Sequence, residues 1–212
     1  MDAQPPPKPA LTKQLSPQNK RKLDLFLNSK TRPIPTVLKV QNYGPIASMT
    51  LGDDWTDIGE RPNSDDKFHG GNWHRWRNYK LAGDGGTLRV HARSEPCADD
   101  DARNYREFIK THNSAVDKAE YDKFRYLFGM AGNPRFFTVE SIEVVELGGI
   151  KVVAMSGQNT EDSSREKTIY VSPSGDWKEA YNFGIGVSAG KDFDKAVEKF
   201  DKALSTVVWS KK

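Results

Sequence analysis

Residues 136–158 read FFTVESIEVVELGGIKVVAMSGQ, two β-branched, apolar runs that meet at Gly148 and Gly149. Glycine takes positive φ without steric cost, so two glycines between such runs mark a tight antiparallel hairpin. The pattern repeats downstream. KTIYVSP (167–173) and WKEAYNFGIGVSA (177–189) flank an SGD turn, which gives four successive strands joined by short connections. Short connections favour antiparallel neighbours, because parallel strands need a long crossover.

The stretch after these strands changes period. In KDFDKAVEKFDKALSTVVW (191–209), Phe193, Ala196, Val197, Phe200, Leu204 and Val207 recur at helical spacing while Lys, Asp and Glu fill the other side. This predicts an amphipathic closing helix. Upstream, TVLKVQNY (36–43) and IASMTLGDDW (46–55) read as strands, and residues 57–72 read as a polar loop. WHRWRNYKL (73–81) and GTLRVHARS (86–94) then form a hairpin about AGDGG. Between the two strand groups lie two helices. One carries Asp99, Asp100 and Asp101 at its N-terminus and a Tyr105, Phe108, Ile109 stripe; the other places Tyr121, Phe124, Leu127 and Phe128 on one side and ends at Gly129. The expected fold class is α+β, mainly antiparallel sheet covered by helices, in a single domain over 37–209.

Residues 1–36 have a different character. They hold seven of the twelve prolines, and seven basic against two acidic residues. Proline removes amide donors and favours extended chain, so this segment reads as a basic, proline-rich linker. Within it, SPQNKRKLDLFLNS (16–29) offers a short helix with Ser16 at the cap, Pro17 at the first turn, and Leu23, Phe26 and Leu27 on one face. The remaining 176 residues carry 25 basic and 27 acidic groups, so the overall charge of +3 comes from the linker. A folded domain that binds nucleic acid normally holds its own cationic excess, which argues against that class. One cysteine, Cys97, excludes an internal disulfide, and no run of about 20 apolar residues is present to span a bilayer as a helix. The start resembles the tether that follows a cleaved signal peptide, which favours export; a cytoplasmic start reads equally well.

YVSPSGDWKEAYNFGIGVSA followed by DFDKAVEKFDKALSTVVW resembles the closing hairpin and helix of Mog1/PsbP-like domains, and MTLGDDWTDIG is similar to their opening strand and Gly-Trp turn. The resemblance spans residues 37–209 in order of elements. It implies a non-enzymatic α/β/α sandwich, in a superfamily of photosystem-associated lumenal proteins, a small-GTPase-binding protein and bacterial envelope proteins. No function-specific residue of that superfamily matches a position here.

The chemistry-bearing motifs are weak. His69, His74, His91 and His112 form neither HxH nor HExxH, and DDDARNYREF lacks the glycine and final glutamate of a calcium loop. Cys97 is flanked by acids, which disfavour a thiolate. FGIGVSAGKD has Asp192 where a phosphate loop needs a hydroxyl, and its alternation fits a strand. No cofactor is expected.

The sharper candidate is a basic face on the hairpin 73–93. Burying unpaired arginines is costly, which places Trp76 inward with Leu88, Val90 and Ala92. Arg75, Arg77, Arg89, His91 and Arg93 would then share the outer face, with Trp73 and Tyr79 at its ends. Such a face suits a protein partner with an acidic surface, and an acidic helix from Asp99 could instead cover it. The resulting expectation is a non-catalytic binding or adaptor module. The alternative is a small hydrolase using the 57–72 loop with Glu60, Asp65, Asp66 and His69.

Overall fold

The computed structural model describes residues 37–62, 75–83, 85–92 and 95–210, all within one unit, Val37–Lys212. Residues 1–36 with the short helix expected in them, Asp65, Asp66, His69, Trp73, His74 and Arg93 lie outside the described residues.

The described residues form an α+β fold with two antiparallel sheets and three α-helices. The small sheet has the order β1 (Leu38–Tyr43), β2 (Ile46–Gly52), β11 (Val208–Trp209). The large sheet is built from β3 (Trp55–Pro62), β4 (Arg75–Leu81), β5 (Gly86–His91), β7 (Phe137–Leu147), β8 (Ile150–Asn159), β9 (Arg165–Val171) and β10 (Glu179–Val187). Its order is β3-β4-β5-β10-β9-β8-β7, and a short β6 (Glu95–Pro96) pairs with β10. The helices are α1 (Asp99–Thr111), α2 (Lys118–Phe124), which continues into a 3-10 stretch over Arg125–Gly132, and α3 (Phe193–Leu204).

The hairpin at 136–158 forms as expected, with pairs from Phe137↔Asn159 to Leu147↔Ile150 and a bulge between Val139 and Ser141. Gly148 and Gly149 have φ of 54° and 81°, the two positive values that a primed turn demands. Gly148 is required twice over. A β-carbon there would lie 2.8 Å from Trp209 Nε1, whose indole N–H donates to the Leu147 carbonyl at 2.8 Å.

Strands β8 and β9 are buried on both faces, and that divides the core. Val152, Ala154, Ile169 and Val171 face a cluster with Tyr181, Phe183, Ile185, Val187, the inner side of α3 and the small sheet. Val153, Met155 and Tyr170 face a second cluster with Ala102, Tyr105 and Phe108 of α1, Tyr121 of α2, and Leu127 and Phe128. Trp177, from the β9–β10 turn, is buried in this second cluster and stacks on Tyr105 at 4.5 Å between ring centroids. Side-chain caps fix two helix starts: Asp117 accepts from the Glu120 amide and Asp192 from the Lys195 amide. The Ala98 position before α1 has no such cap, and Asp99, Asp100 and Asp101 favour that end through the helix dipole instead.

Two expectations are corrected. The segment from residue 57 is not a loop at its start: Trp55–Pro62 is strand β3, paired with β4 despite a bulge between Asp57 and Gly59. Asp, Gly, Glu and Pro are poor strand formers, and the pairing partner overrides that preference. The second helix is shorter than its apolar stripe implies. Phe128 and Gly129 depart from helical geometry, although Tyr121, Leu127 and Phe128 are still buried together and Phe124 packs against them.

Phe200 is fully buried on α3, edge-on to Phe183 at 6.2 Å. Phe200→Ala is expected to cost about 3–5 kcal/mol in urea denaturation, because the side chain's transfer energy is lost and a cavity remains. Tyr126→Ala, at an exposed ring, serves as the control and is expected to change stability far less.

Candidate binding face on the large sheet

Register lays out one face of the large sheet in three rows running across β4, β5, β10 and β9. The first is Trp76, His91, Asn182 and Tyr170; the second is Asn78, Arg89, Gly184 and Thr168; the third is Lys80, Thr87, Gly186 and Glu166. His91 joins the first row as the residue after Val90, which pairs with Phe183. On β8 and β7 the same rows continue into Val153 and Val144, then Met155 and Ile142, which the helices cover. Toward β4 and β5 the face turns polar, and Ala131 of the 3-10 stretch reaches it beside Trp76 and Arg89.

The expected arginine face is not present in that form. Trp76 pairs with His91 and Asn78 with Arg89, whereas Arg77 pairs with Val90 and Tyr79 with Leu88. Trp76 therefore lies on the same side as Arg89 and His91, and Arg77 and Tyr79 lie on the side of Leu88 and Val90, which belong to the α3 core. Arg77 tolerates this position because it is not unpaired. Its Nε and Nη2 both donate to Asp57 Oδ2, at 3.0 and 2.5 Å, and Asp57 Oδ1 accepts from the Gly59 amide at 2.8 Å. Burial pushes the Asp57 carboxyl up, but those hydrogen bonds and the guanidinium charge outweigh it and hold the group below its ordinary range. Burial raises the Tyr79 phenol to about 12. Arg75 lies 4.0 Å from Glu60, which also accepts from the Tyr43 hydroxyl at 3.0 Å. Arg77 is thus committed to a carboxylate of β3, and Arg75 stands at the edge of ion-pair distance from another. Of the hydrolase alternative only Glu60 is described, and it serves these contacts.

What the other side brings together was not expected. Trp76 stacks on the buried His91 at 4.3 Å, with the rings 18° apart. Beside this pair lies a groove of about 150 Å³ whose lining includes Trp76, Arg89, Ala131, Glu166, Thr168 and Asn182. The groove contains one buried polar atom whose need is unmet and a half-buried carboxylate. Asn182 Oδ1 is buried without a hydrogen-bond donor. Glu166 makes no ion pair among the described residues, and burial pushes its carboxyl up despite the opposing charge of Arg89; nearby Asp162 adds to the rise.

The two glycines of the floor differ. A β-carbon on Gly184 would come within 2.3 Å of the Lys167 carbonyl oxygen and 2.8 Å of Thr168 Cα, so this glycine is imposed by strand contact. At Gly186 the nearest atom would be Glu166 Oε1 at 3.6 Å, ordinary contact. The sequence contained a hint of this in NFGIG, a strand whose polar side is reduced to glycine.

A larger cavity, about 340 Å³, separates α2 from β7 and includes Lys118, Asp122, Arg125 and Glu140. Its carboxylates already have cations: Asp122 meets Lys118 at 3.3 Å and Glu140 meets Arg165 at 2.6 Å. No group of three or more metal-ligating side chains occurs among the described residues, and no helix there is long and apolar enough to cross a membrane.

No protein-family model, curated protein or solved structure matches the chain.

The Glu166 environment sets a sign for the pH dependence of stability. Its folded pKa lies above the ordinary 4.5, so the native state holds the proton more tightly than the unfolded chain, and stability declines as pH rises through that interval. Glu166→Gln is expected to be more stable than the parent at pH 7, with the advantage shrinking as pH falls toward the ordinary value. Urea midpoints of the two chains between roughly pH 4 and pH 7 check the convergence.

Proposed function

We propose that the protein is a non-catalytic binding module that engages another protein through the polar half of its large sheet. One observation carries the reading. A single sheet face is covered by helices over β7 and β8 but presents Trp76, Arg89, Thr168 and Asn182 around a glycine floor over β4, β5, β10 and the adjoining end of β9. Aromatic and arginine side chains beside a concave, desolvated patch are typical anchors of protein interfaces. Extended polar surface next to a fully packed half fits a role in binding better than one in stability.

The likeness of the closing hairpin and helix to PsbP-like domains supports a non-enzymatic role, and the proline-rich linker fits a tether at an envelope or lumenal surface. An acidic partner was expected from five clustered cations. With Arg77 held by Asp57 and Arg75 close to Glu60, that expectation now leans, among the described arginines of the set, on Arg89.

The test is capture of partners from the native source by the full chain and by two face variants, Trp76→Ala and Gly186→Phe, each checked for retained far-UV circular dichroism and thermal midpoint. The expected result is a defined partner lost by both folded variants. Capture that persists unchanged in both removes the face from the mechanism. Removing residues 1–36 in parallel separates the linker's contribution.

A further inference from the structure

We infer that the outer edge of β7, where it faces α2, receives a short extended segment of a partner protein as an added antiparallel strand, with an Asp or Glu near the segment's C-terminal end meeting Arg125. This site lies at the far edge of the large sheet from β4 and does not rest on the polar face.

The chain itself already pairs part of this edge. Ala115 bridges Glu143 in the antiparallel sense, the Val116 amide donates to the Ile142 carbonyl at 2.9 Å, and the Val144 amide donates to the Ser114 carbonyl at 3.1 Å. That pairing stops at Val116, because Asp117 caps α2 and the chain turns into the helix. Alternation along a strand decides which main-chain groups point outward in the part that remains. The Phe136 carbonyl accepts from the Thr160 amide, just past the end of β8, so Phe137 and Val139 turn their groups the other way. Among the described residues β7 ends the order of the large sheet, and no strand lies beside Val139 on its outer side. Open N–H and C=O groups on an edge are a template for another strand.

Shape limits what can be added. The bulge between Val139 and Ser141 shifts the strand by one residue, so that Phe137, Val139, Ile142 and Val144 all face the cluster under α1 and α2. It also interrupts the regular edge, which restricts an added strand to a few residues and guards against open-ended pairing. The cavity of about 340 Å³ between this edge and α2 has Val116, Tyr121, Val139 and Ile142 in its wall, an apolar slot for alternate side chains of the incoming segment. From Lys118 to Arg125 the helix rises about 10 Å, the length of about three extended residues.

Direction and charge name the occupant. A segment that continues the line of Ser114–Val116 runs antiparallel to β7, with its C-terminal end toward Phe137. Helix α2 runs the same way: it starts beside Val116 and ends at Arg125, whose carbonyl abuts Gly132, shortly before Phe137. Lys118 is paired with Asp122 and Glu140 with Arg165, whereas the exposed Arg125 has no ion pair among the described residues. The cation left over therefore stands where the C-terminal end of the added strand arrives, and a carboxylate side chain there is its complement.

The experiment uses the full chain labelled for amide NMR and titrated with the capped peptide acetyl-Val-Thr-Val-Thr-Glu-Gly-amide. The comparison peptides replace Glu by Gln or Lys, move the Glu to the first position, N-methylate the central Val, or carry Gln with a free C-terminal carboxylate. Saturable shifts of the Val139 and Ile142 amides and the Arg125 side chain are expected with the Glu peptide, at a Kd below about 1 mM, together with slowed hydrogen exchange at the Val139 amide. N-methylation removes a main-chain donor and is expected to weaken binding about fivefold or more. The Gln peptide, or Arg125→Gln with the Glu peptide, is expected to lose about three- to fivefold, the range for an exposed ion pair. Arg125→Glu, at an exposed position, is expected to reject the Glu peptide and to bind the Lys version in its place.

Absence of saturable shifts along β7 overturns the inference. So does equal binding of the N-methylated peptide, which would remove strand addition, or of the peptide with its Glu at the first position, which would remove the antiparallel direction. Gln peptide with a free carboxylate binding as well as the Glu peptide would assign Arg125 to a chain terminus and overturn the side-chain source. An unchanged preference in Arg125→Glu overturns the charge pairing. Partner capture that depends on Trp76 is read separately, so the polar face and this edge stand or fall independently.

Discussion

The two-sided burial of β8 and β9 is the constraint on which the rest of the molecule depends. Val152, Val153, Ala154 and Met155 are consecutive and all buried, so this part of the sheet needs an apolar cover on both faces. One cover is α3 with the small sheet, and the other is the pair α1 and α2 with its 3-10 extension. At about 25 cal/mol per Å² of apolar surface, leaving either face wet would be prohibitive, because Val152, Ala154, Ile169 and Val171 on one side, or Val153, Met155 and Tyr170 on the other, would lose their burial together. The helices are therefore located by the centre of the sheet, not by its edges. Where the sheet extends past them, onto β10, β5 and β4, the second face has to be polar, and it is.

Much of this plan is legible in the residues. The Gly148–Gly149 hinge, the SGD turn and the Phe193–Phe200 stripe each combine a local signal with a periodic one, and strands β7 to β10 and helix α3 form where those signals coincide. The face of β4 was not legible, and the reason is specific. Arginine burial is costly only for an unpaired arginine, and the partner of Arg77 is Asp57, on a strand whose composition conceals it. Missing β3 therefore reversed the orientation of β4. Trp76, assigned to the core, lies half-buried against His91 on the other side.

The groove was hidden for a different reason. Asn182, Thr168 and Glu166 come from two strands and become neighbours only through the register Asn182↔Tyr170, Gly184↔Thr168 and Gly186↔Glu166. No spacing within one segment encodes that proximity. The glycines in NFGIG are the only local trace, and their two causes, a strand contact at one and open space at the other, separate only in three dimensions.

Strand β10 carries a division of labour along nine residues. Tyr181, Phe183, Ile185 and Val187 belong to the α3 core, while Asn182, Gly184 and Gly186 alternate with them on the groove side. Substitutions at the first set are read by the folding equilibrium. At Gly186, and at Thr87 and Lys80 beside it in the same row, side chains can change with little consequence for the core. Recognition can therefore drift during evolution while the scaffold is conserved, and relatives of this protein should be sought by the spacing of the buried residues of β10, with the residues between them free to differ.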